Sequence, residues 1–171
     1  MHPYLRSKFK LPGTHVKKQT GFSLIELLIV VAIILIIAAI AIPNLIRSKM
    51  AANESSAVAS LRTINTAEVT YNNNYPGQYG TLVSLGPSGS SCTSGTAATS
   101  AAACLIDSLL SLGTKSGYTF SVGGAGASVS YGTWATPQAT NTGTRQFCSD
   151  TNLVLYFSST SSGCAVGTNP L

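Results

Sequence analysis

From Phe22 to Ile42 the chain runs 21 residues with Glu26 as its only charge. At ~1.5 Å rise per residue a helix of that length covers ~31 Å, enough to cross the hydrocarbon core of a bilayer. Past Pro43 the pattern changes character. Leu45, Ile46, Met50, Ala51 and Ala52 keep a helical composition, and then Ala57, Leu61, Ile64, Glu68, Tyr71 and Tyr75 recur in alternating steps of four and three. That spacing lays one stripe along one face of a helix. Glu68 is its one polar member, which places it where the stripe reaches an edge. The pattern predicts one long helix from about Phe22 to about Asn74. Pro43, lacking an amide donor, kinks or loosens it without ending it. The first half is apolar all round; the second is amphipathic and needs a domain to pack on. Asn72-Asn73-Asn74 followed by Tyr75-Pro76-Gly77 stops the helix.

Pro76 to Ala101 is rich in Gly, Ser, Thr and Ala with little periodicity and reads as a surface loop. Ala102 to Leu112 reads as a short helix closed by Gly113. Four strand signals follow at Gly117–Val122, Ser128–Ala135, Thr144–Ser149 and Leu153–Ser158, with turn residues at Gly123 to Gly126 and Asp150 to Asn152. Sequential strands on short turns predict an antiparallel meander of about four strands, one face covering the amphipathic helix. The fold class is therefore α+β: a long N-terminal helix packed on a small antiparallel sheet.

Charge alters the picture through its distribution. The chain of 171 residues has a net charge of +5, yet Arg6, Lys8, Lys10, Lys17 and Lys18 all precede Gly21 and no acid does. After Gly21, Arg47, Lys49, Arg62, Lys115 and Arg145 balance Glu26, Glu54, Glu68, Asp107 and Asp150. No basic patch remains there to support direct nucleic-acid binding. The basic flank keeps the N-terminus cytoplasmic and sends everything beyond Pro43 across the membrane. Both histidines, His2 and His15, lie in the same flank, so the rest of the chain has no imidazole for acid–base work or metal ligation. The four cysteines, Cys92, Cys104, Cys148 and Cys164, fall in the C-terminal half with no CxxC among them. An even count in a small, loop-rich region reads as disulfides formed in an oxidising compartment. Four cysteines allow three connectivities; nearest-neighbour pairing gives Cys92–Cys104 and Cys148–Cys164. Cross-links are physically motivated, because so small a domain buries little core.

Taken together, a basic leader, Gly21-Phe22, Glu26 as the fifth residue after the glycine, a long apolar helix and Pro43 resemble a type IV prepilin. The resemblance extends to the wider class of pilins and secretion-system pseudopilins. It implies cleavage by a prepilin peptidase between Gly21 and Phe22, and N-methylation of Phe22. On that basis the chain divides into a leader (1–21), a transmembrane or filament-core helix (22–42), an amphipathic helix half (43–75) and a globular head (76–171). The implied partners are other copies in a helical filament, the peptidase, the inner-membrane assembly machinery and, before assembly, the bilayer. An ionised carboxylate near the bilayer centre costs on the order of 2.5–3.5 kcal/mol, so Glu26 requires a reason. The resemblance supplies one: in a filament Glu26 neutralises a neighbour's Phe22 amine. The plainer readings are pairing with its own Phe22 amine, or snorkelling to the headgroups.

An uncleaved signal anchor explains the basic flank and the span but neither Gly21 nor Glu26. Two other readings stay open, a type II secretion pseudopilin and a monomeric signal-anchored periplasmic binding module. Asp150 and Asn152 offer two side chains where a hard cation wants six to eight oxygens, and an Asx-type turn accounts for them. The aromatics follow the helix stripe or alternate in strands, as core packing requires. With no histidine past the leader, scattered acids and oxidised cysteines, the expectation is a non-enzymatic chain without metal or cofactor.

Overall fold

The computed structural model describes residues 21–87, 92, 97–126, 130–159 and 163–171. The leader up to residue 20, part of the 76–101 loop and the start of the second strand signal lie outside the described residues. The chain divides into two units, Met1–Ile40 and Ala41–Leu171.

In the first unit the described chain is the opening of helix α1, which spans Leu24–Asn74. Every large apolar side chain there is exposed, from Phe22 at 79% to Val31 at 46%. By length and composition the helix can cross a membrane.

The second unit opens on the rest of α1, and helix assignment runs on through Pro43. The ring removes only the hydrogen bond that would reach the carbonyl four residues back, which a long, otherwise regular helix survives. The stripe residues Ala57, Leu61, Ile64 and Tyr71 are buried. They meet the inner face of a five-stranded antiparallel sheet in simple meander order: β1 (Thr114–Lys115), β2 (Tyr118–Gly123), β3 (Gly132–Pro137), β4 (Gln146–Asp150) and β5 (Leu155–Ser158). Register aligns Phe120, Ala135, Phe147 and Phe157 in one row across the sheet, and Val122, Thr133, Ser149 and Leu155 in the next. The first row is the apolar floor beneath α1; the second carries two hydroxyls.

The sequence expectation of about four strands omits β1. Ser116 and Gly117 both take positive φ (51° and 74°), and Lys115 pairs with Tyr118, so these two residues form a tight hairpin turn. Gly117 is thus turn rather than strand. The helix expected over 102–112 shrinks to α3 (Ser108–Ser111). Its N-cap is Asp107, whose carboxylate accepts the Leu110 amide at 2.9 Å, and Cys104 before it sits at φ 57°, incompatible with a helix. A further helical turn, α2 (Leu82–Leu85), lies in the stretch expected to be loop. It closes through a capping box between Thr81 and Ser84 and buries Leu85.

Candidate functional site

Among the described residues, a side chain added at Gly21 would meet nothing within 4 Å. Phe22 is exposed, and Ser23 stands immediately before the first helical residue. Here the carboxylate of Glu26 accepts the Ser23 amide at 2.9 Å, satisfying one of the donors that a helix start leaves unpaired. Ser23-x-x-Glu26 is the capping-box spacing, a signal present in the sequence beside the one that drew attention to Glu26. A carboxylate at this end also faces the positive pole of the helix dipole. Within one chain, then, Glu26 orders the first turn, and its side chain stays exposed. Downstream, Leu24, Leu27, Leu28, Val31, Ala32 and Leu35 line one open apolar groove along the helix.

In the head, the two disulfides join Cys92 to Cys104 and Cys148 to Cys164, with Cα separations of 5.8 and 5.7 Å. The second ties β4 to the C-terminal segment, where Phe157 donates to the Asn169 carbonyl at 2.9 Å and Leu171 to that of Leu155 at 2.9 Å. This segment covers the free edge of β5. Asp150 and Asn152 form an Asx turn, the Asn152 amide donating to Oδ1 at 3.0 Å and its side chain to Oδ2 at 2.9 Å. Among the described residues no three metal-binding side chains gather.

Two acids do more in the structure than the sequence reading gave them. Glu54, 6% exposed, reaches from α1 to the segment joining β3 to β4. Its Oε1 accepts the Thr144 amide at 2.9 Å and hydroxyl at 3.1 Å and the Arg145 amide at 3.3 Å. Its Oε2 takes the Arg145 side chain, Nε at 2.8 Å and Nη2 at 2.7 Å. Burial opposes its charge, but the Thr144 amide and the Arg145 guanidinium outweigh that and hold its carboxyl below the ordinary value. Beside it Asn53 donates to the Thr142 carbonyl at 2.9 Å, so one turn of α1 fastens the whole connection. The signal was available: 54 extends the 57–61–64 stripe by one further step of three.

Glu68 is wholly buried, not at the edge of the stripe. Its Oε2 accepts the Gly80 amide at 2.7 Å, while Oε1 has no hydrogen-bond partner among the described residues. Burial pushes its carboxyl up to about 7 against that single bond. One turn back, Asn65 donates to Ser149 at 2.6 Å and accepts from Thr133 at 3.4 Å and Tyr131 at 3.5 Å, meeting the hydroxyl row of the sheet. Burial and the nearby Glu68 carboxylate raise the Tyr131 phenol as well.

Comparison with known proteins places these features. Residues 16–42 match the family described as the prokaryotic N-terminal methylation motif. The type IV wide pilus major component PilA4 of Thermus thermophilus is 45% identical over 69 residues, which are 39% of this chain and 53% of that protein. The type IV major pilin protein PilA of Myxococcus xanthus is 48% identical over 54 residues, 32% of this chain and 24% of its own. The type II secretion system core protein G of Aeromonas hydrophila is 35% identical over 63 residues, 35% of this chain and 44% of its own. The chain thus spans about half or less of the length of these relatives. No solved structure matches. By its methylation motif, its long N-terminal helix followed by an antiparallel sheet, and these relatives, the chain resembles type IV pilins and pseudopilins.

Proposed function

We propose that the chain is the structural subunit of a type IV pilus-like filament, cut between Gly21 and Phe22, methylated on Phe22 and assembled through its N-terminal helix. The observation that carries this reading is the exposed apolar surface of the large side chains from Leu24 to Ile42, within the stretch that matches the methylation motif. Each fully buried Leu or Ile is worth roughly 1.5–3 kcal/mol, so that surface must be covered, first by lipid and then by the helices of neighbouring subunits. The subunit is held in the inner membrane before assembly and lies outside the cell after it, with the prepilin peptidase and an assembly machine as its partners. Adhesion, motility or DNA uptake are uses open to such a filament.

Glu26 is the assembly group in this reading. The cut leaves a cationic amine four residues before it, and in a filament core each carboxylate pairs with a neighbour's amine, selecting axial register more than adding affinity. The Ser23 cap is the contact that pairing supplements or replaces. Replacing Glu26 with Leu leaves insertion and cleavage intact but brings an unpaired amine into an apolar bundle. Glu26→Leu is therefore expected in the membrane fraction at wild-type abundance and strongly depleted from sheared surface filaments, with Glu26→Asp between. Filaments of Glu26→Leu as abundant as wild type would sink the mechanism. A type II secretion pseudopilin is the second reading, favoured by the core protein G relative. It predicts the same processing but no long surface filaments at native expression. A monomeric signal-anchored binding module predicts neither cleavage nor filaments.

A further inference from the structure

Among the described residues Glu68 has one donor and no cation, which is not a stabilising device, and the proposed assembly through the N-terminal helix does not call on it. Its surroundings are unusually poor in compensation. A carboxylate has about four lone-pair sites; here the Gly80 amide fills one and Oε1 faces no donor among the described residues. The titratable group that faces it from the sheet side is Tyr131, and Tyr131 in turn interacts with Tyr79, on the segment that follows α1, and with Asp150 at the end of β4. On α1 itself the neighbouring turns carry Asn65 and Tyr71, which are committed elsewhere, Asn65 to Ser149 and the Tyr71 hydroxyl to the Ser100 carbonyl at 2.7 Å. None of these is a cation.

The donor to Glu68 lies on a short segment between the end of α1 and the N-cap of α2. That segment is held by a two-bond bridge from Tyr79 to Gly126 (3.2 and 2.9 Å), by the Gln78 amide donating to the Tyr75 carbonyl at 3.2 Å, by Asn72 donating to the Gln78 carbonyl at 2.9 Å, by the Tyr75 ring against Tyr71 at 4.8 Å and by the Tyr79 ring against that of Tyr131 at 4.7 Å. Pro76, Gly77 and Gln78 are exposed. Moving this short segment is the least costly way to bring water to Oε1, because the opposite side is the sheet.

We propose that Glu68 is a proton-operated latch: neutral, it keeps the segment between Tyr75 and Thr81 closed over the end of α1, and ionised, it releases that segment. The neutral acid costs no more than a polar group with one hydrogen bond. The anion demands solvation that the closed core cannot provide. Because the carboxyl is raised from 4.5 to about 7, the native state holds a proton that the unfolded chain has already lost. The closed form is therefore fully favoured below about pH 4.5 and loses ground as pH rises through about 7. This is opposite in sign to the usual buried, paired carboxylate.

The test is amide hydrogen exchange by mass spectrometry on the full chain in detergent micelles from pH 5.5 to 8.5, corrected for the intrinsic rate. Protection in peptides covering Tyr79 and Gly80 is expected to fall at least tenfold across that range, while β4 amides such as Phe147 stay level. In Glu68→Gln the Tyr79–Gly80 profile should be flat. A flat wild-type profile, or the same fall in Glu68→Gln, overturns the proposal. A second measurement needs no variant. The chain has three glutamates, so 13C labelling of their carboxyl carbons gives three signals. One should titrate with the midpoint of the exchange transition; all three titrating below pH 5.5 overturns the latch.

Discussion

Glu54→Ala should be among the most damaging single changes in the head, and its cost can be worked from the contacts. The substitution strands two backbone amides, Thr144 and Arg145, and leaves the Arg145 guanidinium without its partner. Breaking a buried ion pair by deleting one member costs about 3–5 kcal/mol. The Arg145 side chain is 41% exposed and Thr144 lies at the surface, so water recovers part of that. The guanidinium also keeps its place over the Phe147 and Phe157 rings, at 5.5 and 5.7 Å. A net loss of ~2–3 kcal/mol remains after that discount. Glu54→Gln keeps an oxygen for Thr144 and should cost ~1 kcal/mol, the net worth of a lost charge-assisted bond over a neutral one. For a domain of this size each kcal/mol moves the melting temperature by roughly 3–5 °C, so Glu54→Ala should melt ~6–15 °C lower. The single tryptophan, Trp134 on β3, reports the transition by fluorescence on the full chain in detergent. The pH dependence is a second check. Glu54 is held below its ordinary 4.5, so its stabilisation is complete above that value and lost as pH falls through the lower native one. The gap between wild type and Glu54→Ala should therefore close on acidification. A melting temperature within 2 °C of wild type at pH 7, or a gap unchanged down to pH 3, would refute the clamp.

Gly21→Val should leave the leader attached, because a β-branched side chain occupies the open space that the proposed peptidase needs at the cut; mass spectrometry of the mature N-terminus decides, and normal-length protein from this strain would contradict the cleavage site. Cys148→Ser should destabilise the head by about 2–5 kcal/mol, since it frees the C-terminal segment from β4 and exposes the β5 edge. Fluorescence melts of wild type and Cys148→Ser, both without reductant, measure that loss, and coincident curves would show that this cross-link contributes nothing.

Local rules were enough for the long helix and the meander. Apolar runs, stripes of fours and threes, and turn residues are properties of neighbours in the chain, so Leu24–Asn74 and the order β2 to β5 can be read without tertiary information. The capping pair Ser23 and Glu26 is local too. The inner row of the sheet, Phe120, Ala135, Phe147 and Phe157, follows once strand alternation is set against antiparallel register. Distance along the chain is where such reading stops. Glu54 meets Thr144 ninety residues away, and Glu68 became a buried acid only because the segment after α1 folds back to offer the Gly80 amide. A stripe marks which face a residue occupies, not how deep that face lies or what stands opposite. Asp107 illustrates the same limit in reverse: composition predicts a helix from 102, but the positive φ of Cys104 and the side-chain cap at Asp107 put its start at Ser108. Periodicity is a one-dimensional signal that survives folding unchanged, whereas burial, pairing and the proton affinity of a carboxylate are created by what folding brings next to it.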